Sequence, residues 1–264
     1  MRLIAIPADI KQYTTGKITS ADVFTAYKAL RKTGPPEISI SIPAYNEEDN
    51  IVQTLASLCN NITKYAVEII VTDNNSQDRT AEIIKSCGVV YEFESRQGIT
   101  QARNTGLAVT QGKYILNADA DTIYPKNWIE EMVSPLIGSK RYAITYGRFS
   151  FIPTAKTGRL TYFIYEYIAD LARVYDKHFK NEAVNVYGFN SCFRKEQALQ
   201  VDCFDHPPGT NEDGYLALKL KMKGFGDLYL VKSPKAIVWT TDRRIQIDGG
   251  LWKGVFKRVK RFLS

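Results

Sequence analysis

The chain of 264 residues is poor in the residues on which several common enzyme chemistries depend. It has two histidines and no Gly-x-Ser-x-Gly sequence, so a hydrolase with a serine nucleophile and a histidine base is poorly supported. The four cysteines are scattered without a Cys-x-x-Cys pair, which argues against a zinc knuckle or a dithiol redox centre. A Gly-x-x-x-x-Gly-Lys-Ser/Thr loop is also missing, which argues against the phosphate-loop class of nucleotide-binding proteins.

Long apolar runs are missing as well. No run approaches the ~18 residues that a membrane-spanning helix needs. The apolar stretch at residues 3–6 is too short for a signal peptide, because Pro7 and then polar sequence follow it. We therefore expect a cytoplasmic protein. With 44% hydrophobic and 24% charged residues, the composition is typical of a folded globular protein.

Basic residues outnumber acidic ones by 35 to 28, which gives a net charge of +7 and favours phosphate-bearing partners. The excess is concentrated between Gly249 and Ser264, where five basic residues occur without an acidic one. Apolar residues recur there at helical spacing, at Leu251, Val255, Val259 and Phe262. This pattern predicts a basic amphipathic helix, which either lies on the anionic inner face of a membrane as a peripheral contact or packs against the domain. Because only this tail combines clustered cations with aromatic residues, we expect no nucleic-acid partner.

The chain divides into three predicted parts. Residues 1–36 form a helical lead-in, in which Ser20 is the expected cap of a helix. Residues 37–240 form the main domain, and residues 241–264 form the basic tail.

Strands alternate with helices through the main domain. Expected strands lie at 38–42, 67–71, 89–93, 114–118, near 142–149, at 228–231 and at 236–239, and expected helices include 51–58, 80–87, 100–110 and 212–223. Repeated strand–helix units predict an α/β fold with a mainly parallel sheet and helices on both faces. In such folds ligands bind at the carboxyl ends of the strands.

One further segment, 159–175, has apolar residues at helical spacing and a surplus of aromatic residues. The residues that define the spacing are Leu160, Ile164, Tyr167, Ile168 and Leu171. Two interpretations stay open: an ordinary packed helix, or a helix that faces a membrane interface or an acceptor.

The strongest local signal for chemistry is Asp119-Ala120-Asp121, directly after the apolar strand at 114–116. Side chains at i and i+2 of an extended segment point the same way, so two carboxylates can converge at the end of this strand. Carboxylate oxygens suit Mg²⁺ or Mn²⁺, which complete their coordination with water and substrate phosphates. The alternative is an ordinary turn, since Asp favours turns.

Two other strands end in polar clusters at the same predicted edge, Pro43 to Glu48 and Thr72 to Thr80. An acidic side chain such as Asp73 can accept a hydrogen bond from a uracil ring, and Tyr45 can cover the face of a base. Turn and helix-cap chemistry explains the same residue types.

The motifs in this order resemble those of family 2 glycosyltransferases of the GT-A fold. They are Ile-Pro-Ala-Tyr-Asn-Glu at 42–47, Val-Thr-Asp-Asn-Asn-Ser at 71–76, Ala-Arg-Asn-Thr-Gly at 102–106, Asp-Ala-Asp at 119–121, Gly-Phe-Asn at 188–190 and Glu212-Asp213. The resemblance implies an inverting enzyme that uses a nucleotide-diphosphate sugar, commonly with Mn²⁺ or Mg²⁺. It leans towards a UDP-sugar donor and a lipid-linked or cell-envelope glycan as acceptor.

The resemblance also implies roles for individual residues. Residues lining the nucleotide-sugar pocket would be Pro43, Ala44, Tyr45, Glu47 and Asp73, with Arg103 beside them. Asp119 would face the ribose or the metal, and Asp121 would hold the metal. Asp213 would be the catalytic base, with Glu212 next to it in the site. These two acids would also stabilise a helix N-terminus in any protein.

The sequence departs from the family pattern where many relatives have a histidine near the end of the domain. Here the stretch 238–244 has none, and Arg243 or Arg244 is expected to supply positive charge to the diphosphate instead, although adjacent arginines also occur in solvated loops. Two rival functions stay open. One is a catalytically silent scaffold that binds carbohydrate or membrane, and the other is a nucleotidyltransferase, which also needs a metal-held nucleotide.

Overall fold

The computed structural model describes residues 2–154 and 157–247. Residues 248–264, which contain most of the predicted basic tail, lie outside this part of the chain. Among the described residues, no helix is both long enough and apolar enough to cross a membrane.

Helices and strands alternate along most of the chain. The helices are α1 Ala8–Thr15, α2 Ser20–Arg31, α3 Ile51–Cys59, α4 Thr80–Ser86, α5 Ile99–Val109, α6 Trp128–Gly138, α7 Arg159–Phe179, α8 Lys195–Leu199, α9 Glu212–Met222 and α10 Arg243–Ile247. The strands are β1 Ile38–Ala44, β2 Val67–Asp73, β3 Val90–Phe93, β4 Tyr114–Asn117, β5 Thr122–Ile123, β6 Tyr142–Tyr146, β7 Phe149–Ile152, β8 Ser191–Arg194, β9 Asp227–Leu230 and β10 Val238–Thr241.

The central sheet has seven strands in the order β3-β2-β1-β4-β8-β6-β9. The first four run parallel, and β8 lies antiparallel between β4 and β6. Every residue of β1 and β2 is buried, because helices cover both faces of the sheet. The predicted α/β architecture is confirmed, and the carboxyl ends of β1, β2 and β4 meet at one edge.

A second sheet of three strands, β5-β10-β7, extends this edge. Strand β10 pairs antiparallel with β5, with Thr240 opposite Thr122. An antiparallel pair brings the residues that follow one strand beside those that precede the other. Arg243 therefore comes close to Asp121, although 122 residues separate them in sequence.

The N-terminal helices pack on the sheet layer through an apolar face that includes Val23, Tyr27 and Leu30. The hydroxyl oxygen of Tyr27 also accepts a hydrogen bond from the backbone N–H of Ile69 in β2. The predicted cap of α2 is wrong by one residue. Thr19 is the cap and forms a reciprocal capping box with Asp22, so Ser20 is the first helical residue.

Helix α7 exposes its apolar side, whereas an ordinary packed helix buries it. The five apolar side chains that define its helical spacing are 49–69% exposed: Leu160, Ile164, Tyr167, Ile168 and Leu171. Its buried positions are instead Tyr162, Glu166 and Arg173. The interpretation as a helix packed through its apolar face is therefore wrong, because hydrophobic periodicity identifies a helix but not the environment of its apolar side.

Candidate active site

A cleft of about 380 Å³ opens at the carboxyl ends of β1 and β4. The cleft is lined by seven of the residues that were singled out from the sequence: Pro43, Ala44, Tyr45, Glu47, Asp119, Asp121 and Arg243. They meet because parallel strands end at a common edge and the β5–β10 pair closes one side of it. Tyr45 is half exposed, so its ring is available to cover a planar ligand.

Two carboxylates converge on one cation at the floor of this cleft. The Arg243 guanidinium donates hydrogen bonds to Glu47 and, at 3.3 Å, to Oδ2 of Asp121. The hydrogen bond that Arg243 donates to Glu47 raises the pKa of Arg243. Glu47 and Asp121 are thus oriented to surround a positive charge. Oxygen ligands of this kind, few in number, fit Mg²⁺ or Mn²⁺ that takes its other ligands from water and a diphosphate.

Asp119, the other carboxylate of the Asp-x-Asp motif, has a different partner from Asp121. Arg103, buried in α5, donates a hydrogen bond of 3.0 Å from Nη2 to Asp119. Its Nε also lies 3.4 Å from Asp213 and 3.5 Å from Glu212. One guanidinium therefore joins the floor of the cleft to the first turn of α9.

Glycine is required at position 188 for this arrangement. A Cβ atom there would lie 2.1 Å from Arg103 Nη2 and 2.2 Å from Asp213 Oδ2. Any side chain at Gly188 would have to push the ion pair apart, so the Gly188–Asn190 turn forms one wall of the buried cluster.

Asp213 is held in a nearly water-free position. It is 8% exposed and lies in the first turn of α9, whose N-cap is Asn211. Burial raises the pKa of the Asp213 carboxyl, the Arg103 guanidinium opposes that rise, and the neighbouring Glu212 and Asp119 add to it. Within the described residues, Asp213 Oδ1 has no hydrogen-bond partner. A buried, unsatisfied acceptor with a raised pKa is suited to take a proton from a substrate hydroxyl.

Comparison with known proteins identifies the family. The family model described as "Glycosyl transferase family 2" matches residues 39–199, which is more than half of the chain. The chain belongs to this family. The match includes the strands that end at the cleft and the Asp-x-Asp motif.

Curated relatives agree with this assignment. The chain is 30% identical over 220 residues to the probable glycosyltransferase YdaM of Bacillus subtilis, covering 77% of this chain and 50% of that protein. It is 33% identical over 111 residues to glycosyltransferase AglE of Haloferax volcanii, covering 39% of this chain and 36% of that protein. The chain thus spans half or less of the length of these two relatives.

Solved structures share the GT-A fold at lower identity. S. aureus TarS 1–349 in complex with UDP-GlcNAc superposes with a TM-score of 0.59 and 16% identity, covering 78% of this chain and 58% of that one. Mannosyltransferase PcManGT from Pyrobaculum calidifontis, in complex with GDP-Man and Mn²⁺, gives a TM-score of 0.56 and 18% identity, covering 88% of this chain and 67% of that one.

Five other residues were singled out as family 2 site residues, and four of them lie outside the lining of the cleft. Asp73 is buried and accepts hydrogen bonds from the Ser76 N–H at 3.0 Å and from the Tyr91 hydroxyl at 3.3 Å. Arg103 lies beneath Asp119, and Glu212 and Asp213 lie on its far side. Arg244 is in α10, but its side chain is outside the part that the structure describes.

Six residues of the cleft were not named as site residues from the sequence, although the first, fifth and sixth lie within the quoted motifs: Asn74, Gln97, Gly98, Ile99, Ala102 and Ala120. Asn74 organises this side, because its amide nitrogen donates to the carbonyl oxygens of Glu94 and Arg96 and its amide oxygen accepts from the Gly98 N–H. Gly98 has φ of +142°, which other residues rarely adopt. A glycine before a helix, after a predicted strand, was the available signal.

Proposed function

We propose that the chain transfers a sugar from a UDP-sugar to a hydroxyl of a lipid-linked or cell-envelope glycan, with inversion at the anomeric carbon. One observation carries the proposal. Asp119 and Asp121 line a nucleotide-sized cleft, while the buried Asp213 is joined to Asp119 through Arg103. Inversion by a single displacement needs a leaving-group site and a base on opposite sides of the sugar, and we assign these two roles to the Asp119–Asp121 end of the cleft and to Asp213.

The donor would occupy the cleft between Tyr45 and the Gly98 turn. The Tyr45 ring would cover the base, and Pro43 and Ala44 would line the nucleotide pocket beside it. Complexes of TarS with UDP and with UDP-GlcNAc support a uridine nucleotide, whereas the complex of PcManGT with GDP-Man supports a guanosine one. We favour uridine, and the assay below tests both donors.

Asp119 and Asp121 would hold Mn²⁺ or Mg²⁺, with Glu47 beside them because its carboxylate faces the same positive charge as Asp121. PcManGT in complex with Mn²⁺ supports this choice of ion. When bound, the ion neutralises the charge that develops on the departing diphosphate. Arg243 would add a second positive charge at the same end of the cleft, since its guanidinium already faces Asp121.

Asp213 would accept the proton of the acceptor hydroxyl through Oδ1. Arg103 favours the ionised form of this carboxyl, which a base requires, and burial strengthens its affinity for the proton. Gly188 lies against Asp213, and a side chain at this position would collide with the carboxylate. The carboxylate would become protonated as the new glycosidic bond forms and the nucleoside diphosphate leaves.

Product analysis tests the proposal. The full chain is incubated with UDP-GlcNAc or GDP-mannose, Mn²⁺ and a lipid-linked glycan, and the released nucleotide and the anomeric configuration of the product are measured. We expect release of a nucleoside diphosphate and inverted configuration. Release of pyrophosphate would identify a nucleotidyltransferase, and binding of the donor without turnover for any acceptor would identify a silent scaffold.

A further inference from the structure

Helix α7 presents a continuous apolar strip to its surroundings. Eight large apolar side chains on this helix are 43–75% exposed, among them Leu160, Ile164, Ile168, Leu171, Val174 and Phe179. They recur every three or four residues along 21 residues, a length of about 31 Å at 1.5 Å per residue. Large contiguous apolar patches on a protein surface mark an interaction site rather than ordinary scatter.

Ion pairs on the opposite side hold the helix in this orientation. Glu166 is 1% exposed and accepts hydrogen bonds from Arg2 at 3.1 Å, from Ser150 at 3.0 Å and from the Phe151 N–H at 2.8 Å. Arg159 reaches the same carboxylate at 2.9 Å. If the helix rolled to bury its apolar strip, these buried charges would lose their partners, so the strip remains outside.

A basic cavity of about 230 Å³ adjoins the strip and shares Val174 with it. Four cationic side chains and one carboxylate line this cavity: Arg148, Arg173, Lys177, Lys232 and Asp170. Within the described residues, Arg148 Nε is buried without a hydrogen-bond partner. Asp170 pairs with Arg148 and Arg173, and Glu182 pairs with Lys177, so the four cations still outnumber these two carboxylates. This surplus of positive charge, together with the unused Arg148 donor, suits a phosphate group.

We propose that the outer face of α7 lies on the surface of a lipid bilayer and that the adjoining basic cavity binds the phosphate of a lipid headgroup. Apolar side chains of such a helix enter the boundary between headgroups and acyl chains. Each cation near an anionic lipid surface adds about 1 kcal/mol. The proposal concerns a site other than the cleft, and it stands whether or not the chain transfers a sugar.

The positive charge of the cavity favours a lipid over a protein segment as the partner that covers the apolar strip and fills the cavity. A symmetric contact uses the same patch on both copies, so a second copy would offer this basic cavity no complementary anionic group. Residues 249–264 carry five basic residues and no acidic one, so this tail would not offer the basic cavity a complementary anionic group. An anionic phospholipid supplies both the apolar chain and the negative headgroup.

Sedimentation with vesicles tests the apolar strip. The full chain is mixed, without donor, with vesicles of phosphatidylcholine alone and of phosphatidylcholine with phosphatidylglycerol. We expect the parent to bind the anionic vesicles. The double change Ile168→Glu and Leu171→Glu should weaken this binding about tenfold or more, because two apolar groups that would be buried in the bilayer are lost and two negative charges are introduced. Met222→Glu, at an exposed apolar position on α9, is the control and should bind as the parent does.

Charge reversal tests the cavity. Lys232→Glu should weaken binding to anionic vesicles about tenfold, whereas Lys235→Glu, three residues away and outside the cavity lining, should weaken it less.

Unchanged binding in the Ile168→Glu and Leu171→Glu variant would overturn the proposal. A second outcome would also overturn it: the parent forms a dimer without lipid, and the double change abolishes the dimer but leaves vesicle binding unchanged. A third outcome would point to a soluble phosphate ligand instead of a lipid. In that case the parent does not bind vesicles, and inorganic phosphate raises the thermal stability of the parent but not that of Lys232→Glu.

Discussion

At the scale of single residues, the buried cluster around Arg103 is poorly balanced. One guanidinium faces the carboxylates of Asp119, Glu212 and Asp213, so negative charge exceeds positive charge. Arg103 Nη1 and Asp213 Oδ1 are also buried without hydrogen-bond partners among the described residues, which costs about 1–3 kcal/mol for each group. A fold does not need such a cluster for stability. Groups of this kind are typical of sites that complete their hydrogen bonds with a substrate.

Replacing the proposed base tests its role directly. Asp213→Asn keeps the shape of the side chain but removes its ability to accept a proton, so we expect kcat to fall about 10²–10⁴-fold. Donor affinity, measured by calorimetry, should change little because Asp213 does not line the cleft. Glu196→Gln, at an exposed acidic position in the first turn of α8, is the matched control for a simple helix-dipole effect. Turnover of Asp213→Asn within about tenfold of the parent would refute the assignment.

The pH dependence of transfer follows from the same carboxyl. Burial raises the pKa of Asp213, and a base works only when it is deprotonated. The value of kcat/KM should therefore rise with pH, and its acidic limb should lie above the ordinary aspartate range near pH 4. The limb is measured with the parent across pH 4–9 at saturating Mn²⁺. A rate already at its maximum near pH 5 would show that no buried carboxyl limits the reaction.

At the scale of elements, α7 is attached through buried charged residues and through aromatic side chains such as Tyr162, and not through its exposed apolar strip. Its Glu166 connects Arg2 near the start of the chain, Ser150 in β7 and Arg159 in the first turn of the helix. Breaking a buried ion pair by removing one partner leaves the other charges uncompensated. The position of α7 thus depends on a few polar side chains that lie far apart in the sequence.

Removal of the Glu166 carboxylate should be strongly destabilising. We expect Glu166→Ala to lower the free energy of unfolding by about 3–5 kcal/mol, because Arg2 and Arg159 would remain buried near the site of the lost charge. Glu82→Ala serves as the control, since the Arg79–Glu82 pair is 67–69% exposed and such pairs contribute about 0–1 kcal/mol. Urea unfolding of the three proteins measures both values. Equal effects in the two variants would contradict the buried network.

At the scale of the whole molecule, the cleft is built from five separate stretches of chain that only the folded state brings together. They end or follow β1, β2, β3, β4 and β10, so the unfolded chain has no donor site to offer. A ligand that binds only the folded state raises the free energy of unfolding of the whole protein. Donor binding and global stability are therefore coupled.

Thermal unfolding with nucleotide measures this coupling. UDP with Mn²⁺ at about 100 times its Kd should stabilise the parent by about 2.7 kcal/mol, which corresponds to a Tm increase of about 5–10 °C for a chain of this size. Asp121→Asn should lose most of this increase, and Asp227→Asn, at an exposed position on β9, should keep it. The same increase in Asp121→Asn as in the parent would exclude Asp121 from the donor site.

Much of the fold was predictable because its signals are local. Strands β1 and β2 combine apolar runs with polar residues directly after them, and those residues had to meet once the strands were parallel. Helix α6 and strand β8 were not predicted. The Trp128 indole N–H bonds to Asn190 at 2.8 Å, and β8 pairs with β4 and β6, so both elements depend on partners distant in sequence. Local propensity does not report such partners.

By itself, the sequence determined which residues could do chemistry. The alternation of apolar and polar residues placed Asp119, Asp121 and Glu47 at strand ends, since local spacing decides the direction of neighbouring side chains. Only the tertiary structure decided that Arg103 connects Asp119 to Asp213, that β10 brings Arg243 to Asp121, and that α7 turns its apolar side outward. These contacts of Arg103 and Arg243 join residues from 16 to 122 positions apart. Their geometry depends on strand pairing and buried charge, which no periodicity within one segment records.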